Sequence, residues 1–170
     1  SRHRAALPAG VEAVESDLVA NDPRLTAALQ RADAVVYAAG AVRGRTLADF
    51  LPANVQGVSA VAEVLAREAQ PRQVVLLSSL AAAAPELSHY AQSKRRGELV
   101  LAAAPASLPW VVLRPTAVYG PGDRELRPVF DLMQRGWMFT PGAADQRLSF
   151  IEVDDVVRAV LAAQIGRAHV

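Results

Sequence analysis

Three short apolar runs constrain the fold of this 170-residue chain more than any other feature. They cover residues 34–38, 73–77 and 110–114, and they are rich in valine and leucine with almost no polar interruption. Strands of this kind are usually buried on both faces of a parallel sheet. Stretches of helical length separate the runs, as the crossover connections of parallel strands require. The sequence therefore predicts an α/β fold built on one parallel sheet.

Helical patterns occupy the connections. Apolar residues recur every three or four positions over residues 47–69, which predicts the first crossover helix. A second crossover helix is expected over 90–103 and a third helix over 121–135. A short strand over 148–153 and a helix over 154–163 complete the predicted elements.

The composition excludes several classes of protein. The chain carries 18 basic and 17 acidic residues, and a net charge of +1 gives no field that attracts nucleic acid or anionic lipid. The absence of cysteine excludes a disulfide framework and a thiolate nucleophile. No apolar run approaches the ~20 residues that a membrane span needs, and the first residues lack the apolar core of a signal peptide. We therefore expect a cytoplasmic protein with no metal site and with no nucleic acid or membrane partner.

Lys94 is the only lysine of the chain, because the other 17 basic residues are arginine. Tyr90 precedes it by four positions, so on a helix the two side chains share a face one turn apart. An ammonium beside a phenol stabilises the phenolate, which prepares the tyrosine for acid/base chemistry near neutral pH. The alternative is that Tyr90 caps the core and Lys94 is solvated. The two serines at positions 78 and 79, which precede Lys94 at the end of a predicted strand, favour a chemical role for this lysine.

Two serines follow the predicted strand over 73–77. The carboxyl end of a parallel sheet is where ligands bind. A hydroxyl from Ser78 or Ser79 at that end is therefore expected to reach the same substrate oxygen as Tyr90. Three polar groups around one carbonyl or alcohol favour a catalytic site over a structural one.

The chain resembles the extended short-chain dehydrogenase/reductase superfamily of NAD-dependent epimerases and dehydratases, from about residue 14 to residue 163. Seven short motifs occur in the order typical of that family: Ser16-Asp17-Leu18, Ala38-Ala39-Gly40, Asn54-Val55-Gln56-Gly57, Ser78-Ser79, Tyr90 to Lys94, Arg114 to Asp123, and Phe150 to Asp155. The resemblance implies a Rossmann-like doubly wound parallel sheet. It also implies NAD or NADP as cofactor, and hydride transfer to or from a carbon that bears a hydroxyl or a carbonyl.

The resemblance further implies catalytic roles for three residues. Tyr90 would be the acid/base, and Lys94 would favour its phenolate form and bind the nicotinamide ribose. Ser79 would hydrogen-bond the substrate oxygen, with Ser78 in reserve, because Leu80 occupies the place of the catalytic serine or threonine of several members. The residues expected to contact the cofactor are Asp17, Leu18, Ala38, Ala39, Gly40, Asn54, Ser78, Tyr90, Lys94, Pro115, Ala117 and Val118.

Some of these positions also have a structural interpretation. Asp17 would contact the adenine, yet by itself it is typical of a loop turn. Asn54 would support the active-site strand, yet by itself it reads as a buried amide bonded to backbone. Arg114, inside a matching motif, reads by itself as a salt bridge at the edge of the core.

The family's glycine-rich phosphate-binding turn has no match among the ten glycines of the chain. We therefore expect a partial nucleotide-binding domain over 1–164, truncated at its N-terminus. Most of the C-terminal substrate domain would be missing, with 124–146 as its start, and 165–170 would be a non-native tail.

Two functions follow as hypotheses. The first is an NAD(P)-dependent enzyme of the reductase, epimerase or dehydratase type that acts on an alcohol, a ketone or a nucleotide sugar. The alternative is a non-catalytic dinucleotide-binding sensor or accessory subunit. The resemblance also implies a homodimer formed through the helices over 47–69 and 90–103.

Overall fold

The computed structural model describes residues 8–20, 22–70, 72–123, 126–137 and 148–165. The strands of this part of the chain are β1 (Ala34–Tyr37), β2 (Gln73–Leu77), β3 (Trp110–Leu113), β4 (Ala117–Tyr119) and β5 (Phe150–Glu152). Its α-helices are α1 (Pro23–Arg31), α2 (Gly57–Ala66), α3 (His89–Ala102), α4 (Arg127–Gln134) and α5 (Val153–Ile165).

Parallel strands form the centre of the structure, in the order β1-β2-β3. Val36 is paired with Val75, and Leu76 with Val112. The connections between these strands run through α2 and α3, which are the predicted crossovers. The α/β prediction is therefore confirmed.

A second parallel pair joins β4 to β5, with Val118 opposite Ile151. Strand β4 is not predictable from hydrophobic periodicity, because it is only three residues long and closely follows a proline.

Helices cover both faces of the sheet. Successive side chains of a strand point to opposite faces, and Val75 of β2 is fully buried on the face that α5 contacts. Gln73 also donates a hydrogen bond from Nε2 to the carbonyl of Ala163 in α5 (2.8 Å). The other face packs on α2 and α3 through a core of Leu29, Tyr37, Val58, Val61, Ala62, Leu65, Val74, Leu76, Leu101 and Leu108. This arrangement is the doubly wound architecture that the resemblance implied.

The predicted helix over 47–69 is wrong as one continuous α-helix. The segment begins with a 3₁₀ turn (Leu47–Asp49), continues as a π-helical turn (Pro52–Gln56) and becomes α-helical only at α2. Pro52 has no amide hydrogen to donate into a continuous helix. The wider turn that follows carries Asn54, and π-turns of this kind are frequent at functional sites.

Two other elements depart from the sequence prediction. Helix α1 was not predicted, although Asp22 caps it by accepting a hydrogen bond from the Arg24 amide (2.9 Å). Helix α4 begins at Arg127, later than predicted, since Gly122 has a positive φ of 88° that ends any helical path there.

Strand β1 is less buried than predicted. Val36 is 39% exposed, whereas Tyr37 is buried. The reason is position: β1 lies at the edge of the described sheet, so only β2 has a partner strand on each side.

Parts of the domain prediction fall outside the described residues. These parts are 124–125 and 138–146 of the expected substrate region, and 166–170 of the expected tail. No helix in the described part of the chain is long and apolar enough to cross a membrane.

Candidate active site

The side chain of Lys94 is buried against the carboxyl end of β2. Its ammonium donates a hydrogen bond to the carbonyl of Leu77 (2.7 Å), and only 9% of the residue is exposed. Burial lowers the pKa of Lys94, and the carboxylate of Glu98 partly opposes this by favouring the charged form. The single lysine is therefore a fixed internal group and not a solvated one.

Asn54 ties the loop after β1 to helix α3. Its Oδ1 accepts from the Ala41 amide (2.9 Å), and its Nδ2 donates to the Ala41 carbonyl (3.0 Å) and to Ser93 Oγ (2.8 Å). Ser93 Oγ in turn donates to the carbonyl of Tyr90 (2.7 Å). The buried amide bonded to backbone that the sequence suggested is present, and it also supports the helix that carries Tyr90.

Gly97 lets helix α3 approach this turn closely. A Cβ atom there would lie 2.2 Å from the backbone oxygen of Asn54, closer than such atoms approach. Ser93 and Gly97 lie one turn apart on α3 and are both small. The close packing that results holds the asparagine in place.

Gly40 leaves an open cradle at the end of β1. A Cβ atom on Gly40 would lie 3.1 Å from Asn54 Oδ1 and 3.5 Å from Lys94 Nζ. Gly40 is itself exposed, and so is Ala38 two residues earlier. The missing side chain of Gly40 thus leaves space at this strand end directly in front of the buried Asn54 amide and Lys94 ammonium. This arrangement fits the ribose and nicotinamide part of a dinucleotide, which needs close approach to backbone and polar groups for its hydroxyls.

Tyr90 opens the first turn of α3 and is partly exposed. Its ring packs edge-on against Phe50, with centroids 6.1 Å apart. It also borders a cavity of about 860 Å³. The cavity is lined by Val42, Arg43, Gly44, Phe50, Pro85, Glu86, Leu87, Ser88, His89, Tyr90 and Gln92. A substrate in this cavity would lie beside the phenol.

The two strand-end serines differ in their surroundings. Ser78 is buried, and its hydroxyl donates to Glu98 Oε1 (2.6 Å), so it points into the protein. Ser79 is partly exposed and accepts a hydrogen bond from the Ala81 amide (3.2 Å). That bond leaves the hydroxyl hydrogen of Ser79 available as a donor.

A buried carboxylate that the sequence analysis missed organises this end of the sheet. Glu98 is 4% exposed and accepts from Ser78, from Arg95 Nη1 (3.0 Å) and from Arg114 through Nε (2.8 Å) and Nη2 (2.6 Å). Burial alone would raise the pKa of Glu98, but the hydrogen bonds from Arg114, Ser78 and Arg95 outweigh it and lower the pKa to about 2.

The remaining predicted cofactor residues lie at several places. Asp17 accepts from the Val19 amide through Oδ1 (2.9 Å), as the turn interpretation suggested. Leu18 and Ala39 pack against the hydrophobic core. Pro115 accepts from the Leu80 amide (2.9 Å) and so extends the β2–β3 pairing, while Ala117 and Val118 are exposed in β4.

The spacing of residues on helix α3 contains a signal from which Glu98 could have been predicted. Tyr90, Lys94, Glu98 and Leu101 are spaced by four, four and three positions, so they share one helix face. An acidic residue on the helix face that carries a buried lysine is expected to have a positively charged partner on a neighbouring element. Arg114 at the end of β3 is that partner, as the salt-bridge interpretation had it.

No group of histidine and carboxylate side chains in the described segments could hold a metal ion.

Comparison with known families now identifies the chain. The family model of the NAD dependent epimerase/dehydratase family matches residues 1–165. The chain belongs to this family. This membership confirms the resemblance stated from the motifs, and the family's description confirms the expectation of a nicotinamide cofactor.

One curated relative is a ceramide reductase of Caulobacter vibrioides. This epimerase-family chain is 39% identical to it over 154 residues, which are 89% of the chain and 46% of the relative. The chain thus spans about half the length of the curated relative it matches.

Solved structures share the fold. The UDP-glucuronic acid 4-epimerase of Bacillus cereus in complex with NAD is 23% identical, with a TM-score of 0.71 over 87% of this chain and 54% of that chain. The Bordetella bronchiseptica enzyme WbmG in complex with NAD is 20% identical, with a TM-score of 0.69 over 92% of this chain and 55% of that chain. These likenesses confirm the Rossmann-like architecture.

Proposed function

We propose that the complete protein is an NAD(P)-dependent reductase that converts a ketone of a ceramide-like lipid into a secondary alcohol. The observation that carries the proposal is the placement of the Lys94 ammonium, which is buried, bonded to the Leu77 carbonyl and one helical turn from Tyr90. A buried ammonium one helical turn from a phenol, on the same helix face, suits proton transfer to a developing alkoxide.

The chemistry divides between cofactor and protein. When bound, a reduced nicotinamide supplies the hydride to the carbonyl carbon. Tyr90 donates its phenolic proton to the carbonyl oxygen, so that the C=O double bond becomes a C–OH group. Lys94 stabilises the phenolate that is left, which then regains a proton from solvent. Ser79 donates its free hydroxyl hydrogen to the same oxygen and orients the ketone.

The residues around Tyr90 and Lys94 support these assigned roles. Asn54 and Ser93 hold the backbone of Tyr90, and Gly40 keeps the space in front of Lys94 open. Each of these contacts is made before any substrate arrives, so little reorganisation is needed for the reaction.

Lipid substrates are favoured over nucleotide sugars by two observations. The relative named ceramide reductase is 39% identical, whereas the sugar-nucleotide epimerase of known structure is 23% identical. The cavity beside Tyr90 also carries exposed apolar side chains, with Val42 63% and Leu87 78% exposed. Apolar groups at the mouth of a cavity suit a hydrocarbon chain.

The test uses the complete protein with NADH or NADPH and two substrates, the keto form of ceramide and UDP-glucuronic acid. We expect one reduced cofactor to be consumed for each ceramide formed, as measured by absorbance and by mass spectrometry. Turnover of the nucleotide sugar without any ceramide product would overturn the proposed substrate class. Cofactor binding without turnover of either substrate would favour the non-catalytic alternative.

A further inference from the structure

Glu98 lies on the same face of helix α3 as Lys94 and, like Lys94, is hydrogen-bonded to the end of β2. Lys94 donates to the carbonyl of Leu77, and one turn later Glu98 accepts from the hydroxyl of Ser78. Consecutive residues at the end of β2 are therefore held by side chains four positions apart on α3. Two attachment points fix both the distance and the rotation of the helix relative to the strand.

The same carboxylate also fixes the end of β3. Arg114 meets Glu98 through two parallel hydrogen bonds, the bidentate geometry that carboxylate and guanidinium favour. Arg114 is followed directly by Pro115, whose carbonyl accepts the amide of Leu80. Glu98 thus joins β2, β3 and α3 at the point where the expected substrate and nicotinamide residues emerge.

We propose that Glu98 is a positioning residue of the active site, which fixes the Lys94 ammonium and the end of β2 relative to Tyr90. This inference rests on the proposed function, because it assigns Glu98 a part in the proton transfer through Lys94. The hydrogen bonds of Glu98 go to Ser78, Arg95 and Arg114, and not to residues of the cavity beside Tyr90 or of the cradle at Gly40. Glu98 therefore acts on the reaction through Lys94 and the end of β2.

Electrostatics give the residue a second way to act. The groups that the structure places around Lys94 are Glu98 from its own helix, the Leu77 carbonyl from β2, Gly40 from the loop after β1 and Asn54 from the π-helical turn. Tyr90 lies one turn before Lys94 on the same helix. Arg95 and Arg114 lie behind Glu98 and are bonded to it. Glu98 is therefore the carboxylate of this set, and it favours the ammonium form of Lys94 against the effect of burial.

The single lysine makes this inference measurable without any cofactor. Labelling with carbon-13 lysine gives Lys94 one resonance in this sequence, and loss of that resonance in Lys94→Arg assigns it in the complete protein. In Glu98→Gln we expect the midpoint of the Lys94 titration to fall by about one pH unit, because one opposing charge is removed. The matched control is Glu12→Gln, which removes a glutamate that also pairs with an arginine, Arg31, but is exposed.

Enzyme kinetics supply the second readout. In Glu98→Gln we expect kcat to fall about tenfold or more and its alkaline limb to move to lower pH, because Lys94 loses its proton earlier. Arg95→Gln is expected to shift the Lys94 titration in the opposite direction. It removes the half-exposed positive charge beside Glu98 and leaves the hydrogen bonds of Glu98 to Ser78 and Arg114 in place. There the Lys94 titration should move to higher pH.

The outcomes separate the two proposals. A Lys94 titration that is unchanged in both Glu98→Gln and Arg95→Gln would overturn the inference, as would a kcat profile that does not move with it. If Glu98→Gln fails to fold, Arg95→Gln alone decides. If the wild-type protein shows no turnover, the proposed function fails, whereas the titration of Lys94 still reports on Glu98.

Discussion

Single side chains at this site are defined by what they contact. Lys94 was singled out from the sequence because it is the only lysine, and Tyr90 because it lies four positions earlier. Their shared helix face could be predicted from spacing alone. The Leu77 carbonyl that holds the ammonium could not be predicted, because a backbone partner leaves no trace in side-chain patterns. The roles of both residues in catalysis stay predictions.

The strand-end serines show the same division. The sequence placed Ser78 and Ser79 at the end of β2, where the structure has them. Which hydroxyl turns inward depends on the buried Glu98, and nothing adjacent in the sequence indicates that contact.

Gly40 is the position where a single methyl group tests the cofactor site. In Gly40→Ala the new Cβ would lie 3.1 Å from Asn54 Oδ1 and would narrow the space before Lys94. We expect the dissociation constant for NAD(H), measured by titration calorimetry, to rise about tenfold, a cost near 1.4 kcal/mol. The melting temperature should fall only slightly, since the Asn54 amide needs to move by only a few tenths of an ångström. Unchanged NAD affinity would place the cofactor elsewhere.

Helix α3 carries most of the site on one of its faces. Its start is predictable from Ser88, which caps it by accepting from the Ala91 amide (3.1 Å). The segment before α2 was less predictable, because apolar spacing cannot distinguish an α-helix from the 3₁₀ and π-helical turns found there.

The tie between α3 and the sheet gives an acid-stability prediction. The pKa of Glu98 lies at about 2 in the folded protein, below the ordinary value of 4.5. Its stabilising contribution is therefore fully present above pH 4.5 and is lost as the pH falls from 4.5 towards 2. Over that window we expect the free energy of unfolding to lose about 3 kcal/mol through Glu98.

Denaturant unfolding at a series of pH values checks this prediction on the complete protein. Glu98→Gln should lack this part of the acid dependence, and Glu12→Gln should follow the wild type. A Glu98→Gln curve parallel to the wild type between pH 4.5 and 2 would show that the buried bonds to Arg114 and Ser78 do not stabilise the fold.

At the scale of the whole molecule, three apolar runs and the helical stretches between them predicted the α/β class and the parallel direction of the central strands, but not their order. Val36 of β1 is more exposed than predicted within the described residues, where β1 has a partner strand on one side only. The family followed from seven weak motifs in order, and the family model confirms it. The substrate does not follow from the fold, since related folds support many chemistries.

The most direct measurement is a single-turnover reaction of the complete protein with reduced cofactor and keto-ceramide, comparing wild type with Tyr90→Phe. Phenylalanine keeps the edge-on packing on Phe50 but has no proton to donate. We expect the rate of hydride transfer to fall at least a hundredfold, the range that general acid catalysis contributes, while the affinity for the cofactor changes less than about twofold. Equal rates in the two proteins would contradict the assignment of Tyr90 as the proton donor.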